Sequence, residues 1–577
     1  MTSFSQPTTA SAASNPVLAR TPRPFLLLQP QREPIAPRPA ATILLLRDQV
    51  DNQGFEVLMT RRSEHARFAS NAYVFPGGGI EEQDELAAHH ALATTGAGQA
   101  AQSWLVSQAL AGIRETFEEL GILLAYDEQG QPVTEQEVAQ LSRHESIYAQ
   151  CQTRGWTLAV DQLQYLAHWT ADRNLQKRFS TAFFIARMPQ GQTPVADETE
   201  QFEPTWLTPQ QAVQRYEEQA LNMLFPTIRT LRKLTHYANT QAVFKASQHQ
   251  QPLWDSTPRT GMQQDKELRT MEGDMPFGEL AMVSPDGQLS HPLHWQFEPV
   301  TLRKNLLRVT APNPGVMTGP GTNSYLVGDA DTGYIAIDPG PKDLAHLQRM
   351  LEAAGGDIRH IVCTHSHPDH SPGAAPLQIL VEQTGRPRPA IYGLPSGPTA
   401  NLQSRFKPEQ KLQDGQHITV SGSGPQGPIS HTLQAVHTPG HAANHVCLLL
   451  VEDALLFSGD HILNGSTTII NPPDGNMRDY MDSLDKLDDL CAQHAVEFIL
   501  PAHGYVLGSA RQTIALLKKH RLTREAKVLA AMRTKPDGSI RDWVELAYAD
   551  TPPALWPIAE RSLLAHVERI QMLCLGR

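Results

Sequence analysis

The segment Thr364-His365-Ser366-His367-Pro368-Asp369-His370 directly follows the apolar run Ile361-Val362-Cys363 and determines the architecture predicted for the C-terminal half. It places several candidate metal ligands immediately after a predicted strand. His365 and His367 are two positions apart, so both rings can face one ion, whereas Asp369 and His370 are offset enough to reach another. The segment therefore predicts a centre that holds two metal ions.

One short segment cannot complete two metal sites, so further ligands are expected at the ends of later strands. The sequence offers His441 in Thr438-Pro439-Gly440-His441, Asp460 in Ser458-Gly459-Asp460, and His503 after Pro501-Ala502. Each follows a short apolar run and small or turn-forming residues. Taken singly, each histidine would more simply be a solvated or capping loop residue. The ordered set favours the metal centre.

The H-x-H-x-D-H segment, the T-P-G-H, the S-G-D and the late A-H-G together resemble the metallo-β-lactamase superfamily. This resemblance implies an αββα sandwich with a pair of Zn²⁺ ions at the strand ends. It also implies a hydrolytic role for Asp369, while Asp338 is expected to support the ligand loop through hydrogen bonds. The implied ligands are His365, His367 and His441 for one ion, Asp369, His370 and His503 for the other, and Asp460 as the bridge.

A second metal-binding pattern lies on a helix predicted from Ala109 to Gly121. Glu115, Glu118 and Glu119 share one face of this helix, beside Arg114. Their mutual repulsion would be relieved by a divalent cation, and ligands that are all oxygen favour Mg²⁺ or Mn²⁺. A solvated acidic helix is the alternative for this spacing alone.

The run from Arg114 to Ile122 and the upstream Pro76-Gly77-Gly78 turn resemble an expanded Nudix box. A second similarity is to the signature motif of the coenzyme A diphosphatase branch. It covers Leu58 to Ser63, followed by Arg67 and Phe75-Pro76-Gly77-Gly78. The resemblance implies an α/β/α sandwich in which the three glutamates hold metal and take part in catalysis while Arg114 orients them. It also implies that Arg62, Arg67, Gly77 and Gly78 bind the diphosphate. Surface solubility explains the two arginines equally well.

A length of 577 residues is too great for one core and predicts a multidomain protein of the α/β and α+β classes. The composition shifts predict five segments. They are a disordered tail (1–38), the Nudix domain (39–250), a linker or strap (251–299), the metallo-β-lactamase domain (300–515) and a small helical domain (516–577). The last resembles a winged-helix-like cap, which would serve as a packing cap or a homodimer contact rather than as a DNA reader.

Charge and cysteine content narrow the partners and the compartment. The net charge of −12 provides no basic field for nonspecific nucleic-acid binding, although a local basic groove would still accommodate RNA. The five cysteines are widely separated and form no C-x-x-C pair, which favours reduced thiols and the cytoplasm. No stretch approaches the ~20 apolar residues of a membrane span, so a membrane is not an expected partner.

These observations predict a bifunctional hydrolase of small molecules. A Nudix diphosphatase that acts on coenzyme A or nucleotide diphosphates would be joined to a two-zinc hydrolase of thioesters or related esters and amides. Acyl-coenzyme A would link the two activities. Two alternatives remain open at this stage: a ribonuclease of the metallo-β-lactamase fold with an accessory Nudix domain, and a coenzyme A or nucleotide sensor with an inactive Nudix site.

Overall fold

The computed structural model describes residues 23–49, 54–66, 69–95, 103–248, 251–288, 291–424 and 427–575. The chain divides into two compact units. Unit 1 contains Pro34–Pro258, and unit 2 contains Arg259–Arg577 together with the described residues 23–33. No helix in the described part of the chain is long and apolar enough to cross a membrane.

Unit 1 is built around a mixed nine-stranded sheet. Its strands are β1 (Arg38–Asp48), β2 (Phe55–Arg62), β3 (Ala72–Val74), β4 (Gly77–Gly79), β7 (Gln164–Thr170), β8 (Phe179–Arg187), β9 (Gln201–Leu207), β10 (Asn222–Met223) and β11 (Trp254–Ser256), with β5 (Ala125–Tyr126) and β6 (Thr157–Leu158) forming a separate pair. Its helices are α1 (Glu82–Thr95), α2 (Ser103–Leu120), α3 (Glu135–Val138), α4 (Ile147–Thr153), α5 (Pro209–Glu217), α6 (Phe225–Leu234) and α7 (Thr240–Ala246).

The centre of this sheet is the pair β1 and β8, which run parallel to each other. Both strands are almost continuously apolar, as expected for strands covered on both faces. Helix α2 packs Ile113 and Phe117 against Ile43 and Phe184 of this pair. Helix α2 begins at Ser103, six residues earlier than the predicted Ala109. This packing places the α2 glutamates beside β4.

Unit 2 contains two larger sheets. One is formed by β14 (Val300–Arg303), β15 (Leu306–Thr310), β16 (Asn323–Asp329), β17 (Gly333–Ile337), β18 (Ile358–Val362), β19 (Ala390–Gly393) and β20 (Gln410–Lys411), in that order. The other is formed by β21 (His417–Gly424), β22 (Gly427–His437), β23 (Val446–Leu450), β24 (Leu455–Gly459) and β25 (Phe498–Pro501). The unit also contains a hairpin of β12 (Arg259–Gln263) and β13 (Lys266–Thr270). Its helices are α8 (Phe277–Val283), α9 (Leu344–Ala353), α10 (Ala374–Gln383), α11 (Met477–His494), α12 (Ala510–Thr534), α13 (Ile540–Ala547) and α14 (Trp556–Leu575).

The two sheets of unit 2 pack face to face with helices outside them. Leu306 and Val327 of the first sheet share a buried core with Leu448 and Leu500 of the second. Helices α9 and α10 cover the outer face of the first sheet, and α11 and α12 cover that of the second. The predicted αββα sandwich is confirmed. Strands β17, β18, β24 and β25 end at Ile337, Val362, Gly459 and Pro501, directly before the polar loops of the predicted site.

Two segments predicted to lack packing are partly ordered. In the predicted linker (251–299), β11 joins the sheet of unit 1, and β12, β13 and α8 belong to unit 2. All residues of α8 are buried. In the predicted tail (1–38), residues 1–22 lie outside the described residues, but Leu26 and Leu27 are buried. The sequence does not reveal this order, because short apolar clusters within a polar composition carry no periodic signal.

The C-terminal region is helical, as predicted. Helix α12 begins at Ala510, six residues before the predicted start of the helical domain at residue 516, and α13 and α14 lie within that domain. Val528, Val544 and Leu563 form a small core of their own between the three helices.

Candidate metal centre

The loops at one edge of the unit 2 sandwich bring together all seven residues predicted as ligands. They form two groups in which the candidate ligand atoms lie within 4.8 Å of one another. The first group contains His365, His367, His441 and Asp460, and the second contains Asp369, His370 and His503. The parallel pairs β17–β18 and β24–β25 explain this convergence, because the carboxyl ends of parallel strands lie at the same edge of a sheet.

Asp460 lies between the two groups, and its two carboxylate oxygens face different ones. Its Oδ2 is 3.4 Å from His441 Nε2 and 4.0 Å from His365 Nε2. Its Oδ1 is 3.2 Å from His503 Nε2 and 3.4 Å from His370 Nε2. One carboxylate can therefore contact an ion in each group.

Within each group the ligand atoms face one another at short range. His367 Nδ1 is 3.0 Å from both His365 Nε2 and His441 Nε2. In the second group, Asp369 Oδ2 is 3.3 Å from both His370 Nε2 and His503 Nε2. Imidazole nitrogens and carboxylate oxygens this close to one another face a shared point, which is the arrangement that a cation requires.

The outward-facing ring nitrogens have partners that set the orientation of each imidazole. His370 Nδ1 lies 3.0 Å from Asp338 Oδ2, His441 Nδ1 lies 2.8 Å from the Ile469 carbonyl, and His503 Nδ1 lies 3.1 Å from the Gly321 carbonyl. An Nδ1–H that donates to such an acceptor leaves the Nε2 lone pair free to face the centre.

Asp338 organises the ligand loop, as the sequence predicts. It adopts a left-handed backbone conformation at the end of β17, with φ of 46°. Its carboxylate accepts hydrogen bonds of 2.7 Å from both the backbone N–H and the hydroxyl of Thr364. The Thr364 hydroxyl in turn contacts His365 Nδ1 at 3.0 Å. One buried carboxylate thus supports a histidine of each group.

Three residues near the centre carry functions that the sequence does not reveal. His445 accepts a 3.1 Å hydrogen bond at Nε2 from the backbone N–H of Asp460. Thr322 donates from its hydroxyl to Asp369 Oδ2 at 3.3 Å. Thr364, which directly precedes His365, connects that histidine to Asp338 through its hydroxyl.

The electrostatics of the centre favour a bound cation. Burial lowers the pKa of His365 well below its usual value and that of His367 to about 3, so both rings are neutral. Burial opposes a charge on His503 as well, but the carboxylates of Asp460 and Asp369 raise its pKa to about 10. His370 Nε2 and Asp460 Oδ1 are buried without a hydrogen-bond partner. The donor set and these unpartnered atoms fit a pair of divalent cations.

In unit 1, the buried Arg114 lies at the centre of the predicted Nudix residues. Its guanidinium donates to Glu115 at 3.0 Å and to Glu118 at 2.9 Å, and also to the Gly79 carbonyl. Asp84 accepts from the same guanidinium at 3.0 and 3.1 Å. The predicted orienting contact is therefore present, whereas Asp84 could not be assigned from the sequence, because no spacing pattern connects it to Arg114.

Glu119 occupies a separate position on the same helix face. It accepts from the Gly77 N–H at 3.0 Å and from the Gln201 side chain at 2.8 Å. Burial raises the pKa of Glu119 to about 8 and that of Glu115 to about 7. Gly77 has φ of 152°, and a Cβ on it would lie 2.2 Å from the Ala41 carbonyl oxygen, so the turn needs glycine there.

The remaining predicted residues of unit 1 are only partly placed. Arg62 ends β2 and has a buried Nε without a hydrogen-bond partner among the described residues. Arg67 lies outside the described residues. Among the residues that the structure describes, the three glutamates are not gathered within reach of one ion, unlike the two groups of unit 2. Arg114 occupies the space between Glu115 and Glu118.

Comparison with known proteins follows the division seen in the fold. The metallo-beta-lactamase superfamily profile matches residues 317–503, and the beta-lactamase associated winged helix domain profile matches residues 539–571. A Drosophila melanogaster protein named beta-lactamase-like protein 2 homolog is 30% identical over 278 residues, which are 47% of this chain and 89% of that protein. The chain belongs to the metallo-beta-lactamase superfamily. The winged-helix-like cap predicted at the C-terminus is confirmed.

Each half of the chain is also similar to one further protein. An Aspergillus chevalieri protein named atrochrysone carboxyl ACP thioesterase is 32% identical over 231 residues, covering 40% of this chain and 66% of that protein. A NUDIX hydrolase from Alicyclobacillus acidocaldarius aligns at 24% identity with a TM-score of 0.32, over 37% of this chain and 96% of that one. As a metallo-beta-lactamase superfamily member with this His/Asp cluster, the chain is a metal-dependent hydrolase. The Nudix assignment stays a proposal.

Proposed function

We propose that unit 2 is a dinuclear zinc hydrolase that opens thioesters or related carboxylic esters. The observation that carries the proposal is the placement of Asp460, whose two oxygens face separate ligand groups. His365, His367 and His441 would hold one ion, and Asp369, His370 and His503 the other. Such a pair supplies Lewis-acid polarisation of the scissile carbonyl and a nucleophile available at neutral pH.

The protein residues would position this chemistry and accept its protons. The Asp369 side chain is 23% exposed, compared with 11% for Asp460 and 3% for His503. Asp369 is therefore the carboxylate of the centre that a reactant can reach best, and we assign it the role of proton acceptor. Thr322 holds its Oδ2 through a hydroxyl hydrogen bond, which fixes the direction of the carboxylate.

The thioester class is supported by two separate observations. One relative carries the name of a carboxyl ACP thioesterase. The residues of β2 and the Pro76-Gly77-Gly78 turn in unit 1 resemble a coenzyme A signature, and an acyl-coenzyme A would present both a thioester and a diphosphate. A ribonuclease would instead need a basic surface beside the ligand groups, and the net charge of −12 gives no general field of that kind.

The test is hydrolysis by purified protein with acyl-coenzyme A, coenzyme A and RNA as parallel substrates. We expect thiol release from acyl-coenzyme A, and a loss of at least about 100-fold in Asp460→Ala, because a metal-bridging ligand is removed. Asp482→Ala is the matched control, since that side chain is 70% exposed. RNA cleavage without thiol release would favour the ribonuclease alternative and contradict the proposal.

A second proposed function, that of a Nudix diphosphatase, is supported by the arrangement around Arg114. Glu115, Glu118 and Glu119 would hold Mg²⁺ or Mn²⁺ once the ion replaces part of the contacts to Arg114. Burial raises the pKa of Glu115 and of Glu119, and a divalent cation would compensate for the cost of burying their charges. Arg62 would contact the diphosphate together with Arg67. In this proposal residues 39–250 form the Nudix domain, and coenzyme A or a nucleotide diphosphate is the substrate.

Release of phosphopantetheine from coenzyme A in the presence of Mg²⁺ tests this second function. Glu119→Gln is expected to abolish the release, with the exposed Glu82→Gln on α1 as the control. Retained binding of coenzyme A without turnover, unaffected by Glu118→Gln, would support the sensor alternative instead.

We also propose a cytoplasmic protein, because Cys151, Cys363, Cys447 and Cys491 are all buried free thiols. A homodimer through the C-terminal helices is the corresponding proposal for assembly.

A further inference from the structure

We propose that residues 271–288 and 291–295, here called the clamp segment, position the loop of residues 501–508 and thereby set the affinity of the second metal group. That loop carries His503 and is called the His503 loop below. The clamp segment falls in the region that composition predicts to be a linker. The inference rests on the proposed two-metal function, and its residues act through His503 rather than on a substrate.

Glu279 on α8 is the first connection between the two segments. Its buried carboxylate lies 2.9 Å from His291 Nε2 and accepts both terminal nitrogens of Arg308 on β15. The same carboxylate accepts the backbone N–H of Val506 at 3.3 Å. A side chain of the clamp segment thus holds the backbone of the His503 loop three residues after the ligand. Arg308 anchors that side chain to the core sheet.

Tyr505 is the second connection, two residues after His503. Its hydroxyl donates to the Leu293 carbonyl, and its ring lies 4.4 Å from the ring of Trp295. The Arg308 guanidinium lies 4.8 Å from the Trp295 ring centroid. The tyrosine is therefore fixed at its hydroxyl and at its face, and the adjacent backbone of His503 is fixed with it.

The backbones of the two segments are also in direct contact. A Cβ on Gly278 would lie 2.4 Å from the Gly508 nitrogen and 2.5 Å from the Val506 carbonyl. The Asn464 side chain donates to the Met275 carbonyl at 2.9 Å and to the Tyr505 carbonyl at 3.0 Å, and its own N–H donates to the His503 carbonyl. Asn464 follows Asp460 by four residues, so the clamp segment reaches the loop of the bridging carboxylate as well.

These contacts converge on one of the two ligand groups. His503 Nε2 must face both Asp369 and Asp460 Oδ1, at 3.3 and 3.2 Å. Residues that hold a ligand in this geometry make it available before the ion arrives, so loosening them lowers metal affinity without removing a ligand. The first group is carried by the loops after β18 and β22, and the shared ligand Asp460 retains its own backbone hydrogen bond to His445.

Calorimetric binding of Zn²⁺ to the metal-free, full-length protein tests the inference. His291→Gln removes the imidazole next to Glu279, and Tyr505→Phe removes only the bond to Leu293. We expect one of the two binding steps, that of the second group, to lose about tenfold in affinity in His291→Gln and somewhat less in Tyr505→Phe, the range seen when a group behind a metal ligand is lost. The other step should change by less than about twofold.

His431→Gln is the matched control, because His431 is likewise a buried imidazole of unit 2 that pairs with a carboxylate, Asp329, at 3.3 Å. It should leave both binding steps unchanged. Circular dichroism establishes that each variant is folded, and Tyr505→Phe alone decides the matter if His291→Gln does not fold. Two unchanged binding steps in the folded clamp variants, or an equal loss in His431→Gln, overturn the inference.

The same measurement separates this inference from the proposed function. Two binding steps in the wild type without ester hydrolysis would refute the proposed reaction and leave the clamp intact. A single binding step in the wild type would refute both. Two steps with thioester hydrolysis and clamp variants that bind like the wild type would refute the clamp alone.

Discussion

Asp338→Asn is the substitution that most sharply tests how the ligand loop is organised. The carboxylate accepts three hydrogen bonds, from the Thr364 N–H and hydroxyl at 2.7 Å each and from His370 Nδ1 at 3.0 Å. Asparagine has nearly the same shape and also tolerates the left-handed conformation that residue 338 adopts. The change therefore alters hydrogen bonding without straining the backbone.

The amide can satisfy only part of this arrangement. If its oxygen keeps the Thr364 N–H, its NH₂ group faces His370 Nδ1 and must donate to it. The proton of His370 then moves to Nε2, the atom that faces Asp460 and Asp369. A hydrogen bond to a charged acceptor is stronger than one to a neutral acceptor by about 1 kcal/mol. Groups that hydrogen-bond to metal-ligating histidines raise metal affinity by about 10- to 100-fold. We expect a loss in that range at the second group.

Zn²⁺ binding followed by calorimetry and elemental analysis measures this loss. Asp331→Asn, in the exposed turn between β16 and β17, is the control for loss of one carboxylate charge. The first group should be affected less, because the Thr364 oxygen can accept from both the new amide and His365 Nδ1. Wild-type affinity at the second group in Asp338→Asn would refute the assigned orientation of His370.

Three other substitutions have quantitative consequences. Burial disfavours the charge on Glu279, but Arg308 and His291 lower its pKa from 4.5 to about 2. The ionised carboxylate therefore stabilises the fold above pH about 4.5, and this stabilisation is lost as the pH falls towards 2. At about 1.4 kcal/mol per pKa unit, this stabilisation is about 3 kcal/mol. The difference in free energy of unfolding between wild type and Glu279→Gln should therefore shrink by that amount from pH 7 to pH 2. A difference that stays constant with pH would contradict the ion pair. Leu448→Ala should cost about 2–5 kcal/mol in denaturant unfolding, because Leu448 is fully buried between the sheets, whereas the 59% exposed Leu516→Ala should cost little. Arg114→Ala should lower diphosphatase activity and also the melting temperature of unit 1, because it leaves the buried Asp84 without its main partner. An unchanged melting temperature would show that the contacts between Arg114 and Asp84 contribute no stability.

The metal centre could be predicted from sequence because its ligands are short polar segments at the ends of apolar strands. The order His365, His367, Asp369, His370, His441, Asp460 and His503 matches a family pattern, and parallel strand ends bring such segments together. His445 and Thr322 could not be assigned in this way, because their function depends on three-dimensional neighbours rather than on spacing.

The clamp segment shows where sequence reasoning ends. Glu279, His291 and Trp295 lie among Gln, Pro, Gly and Ser, and neither helical nor strand periodicity marks them. Their order comes from tertiary contacts with Arg308 and Tyr505, which are distant in sequence. The same limitation applies to Asp84, which accepts a hydrogen bond from Arg114 although the two residues are 30 positions apart in sequence.

The central claim is that Asp460 joins two metal ions. Elemental analysis combined with X-ray absorption at the zinc edge, on the wild type and on Asp460→Ala, tests it most directly. The account predicts two zinc ions per chain with a metal–metal signal in the wild type, and loss of that signal together with at least one ion in Asp460→Ala. One zinc ion per wild-type chain, bound by histidines alone and retained in Asp460→Ala, would contradict it.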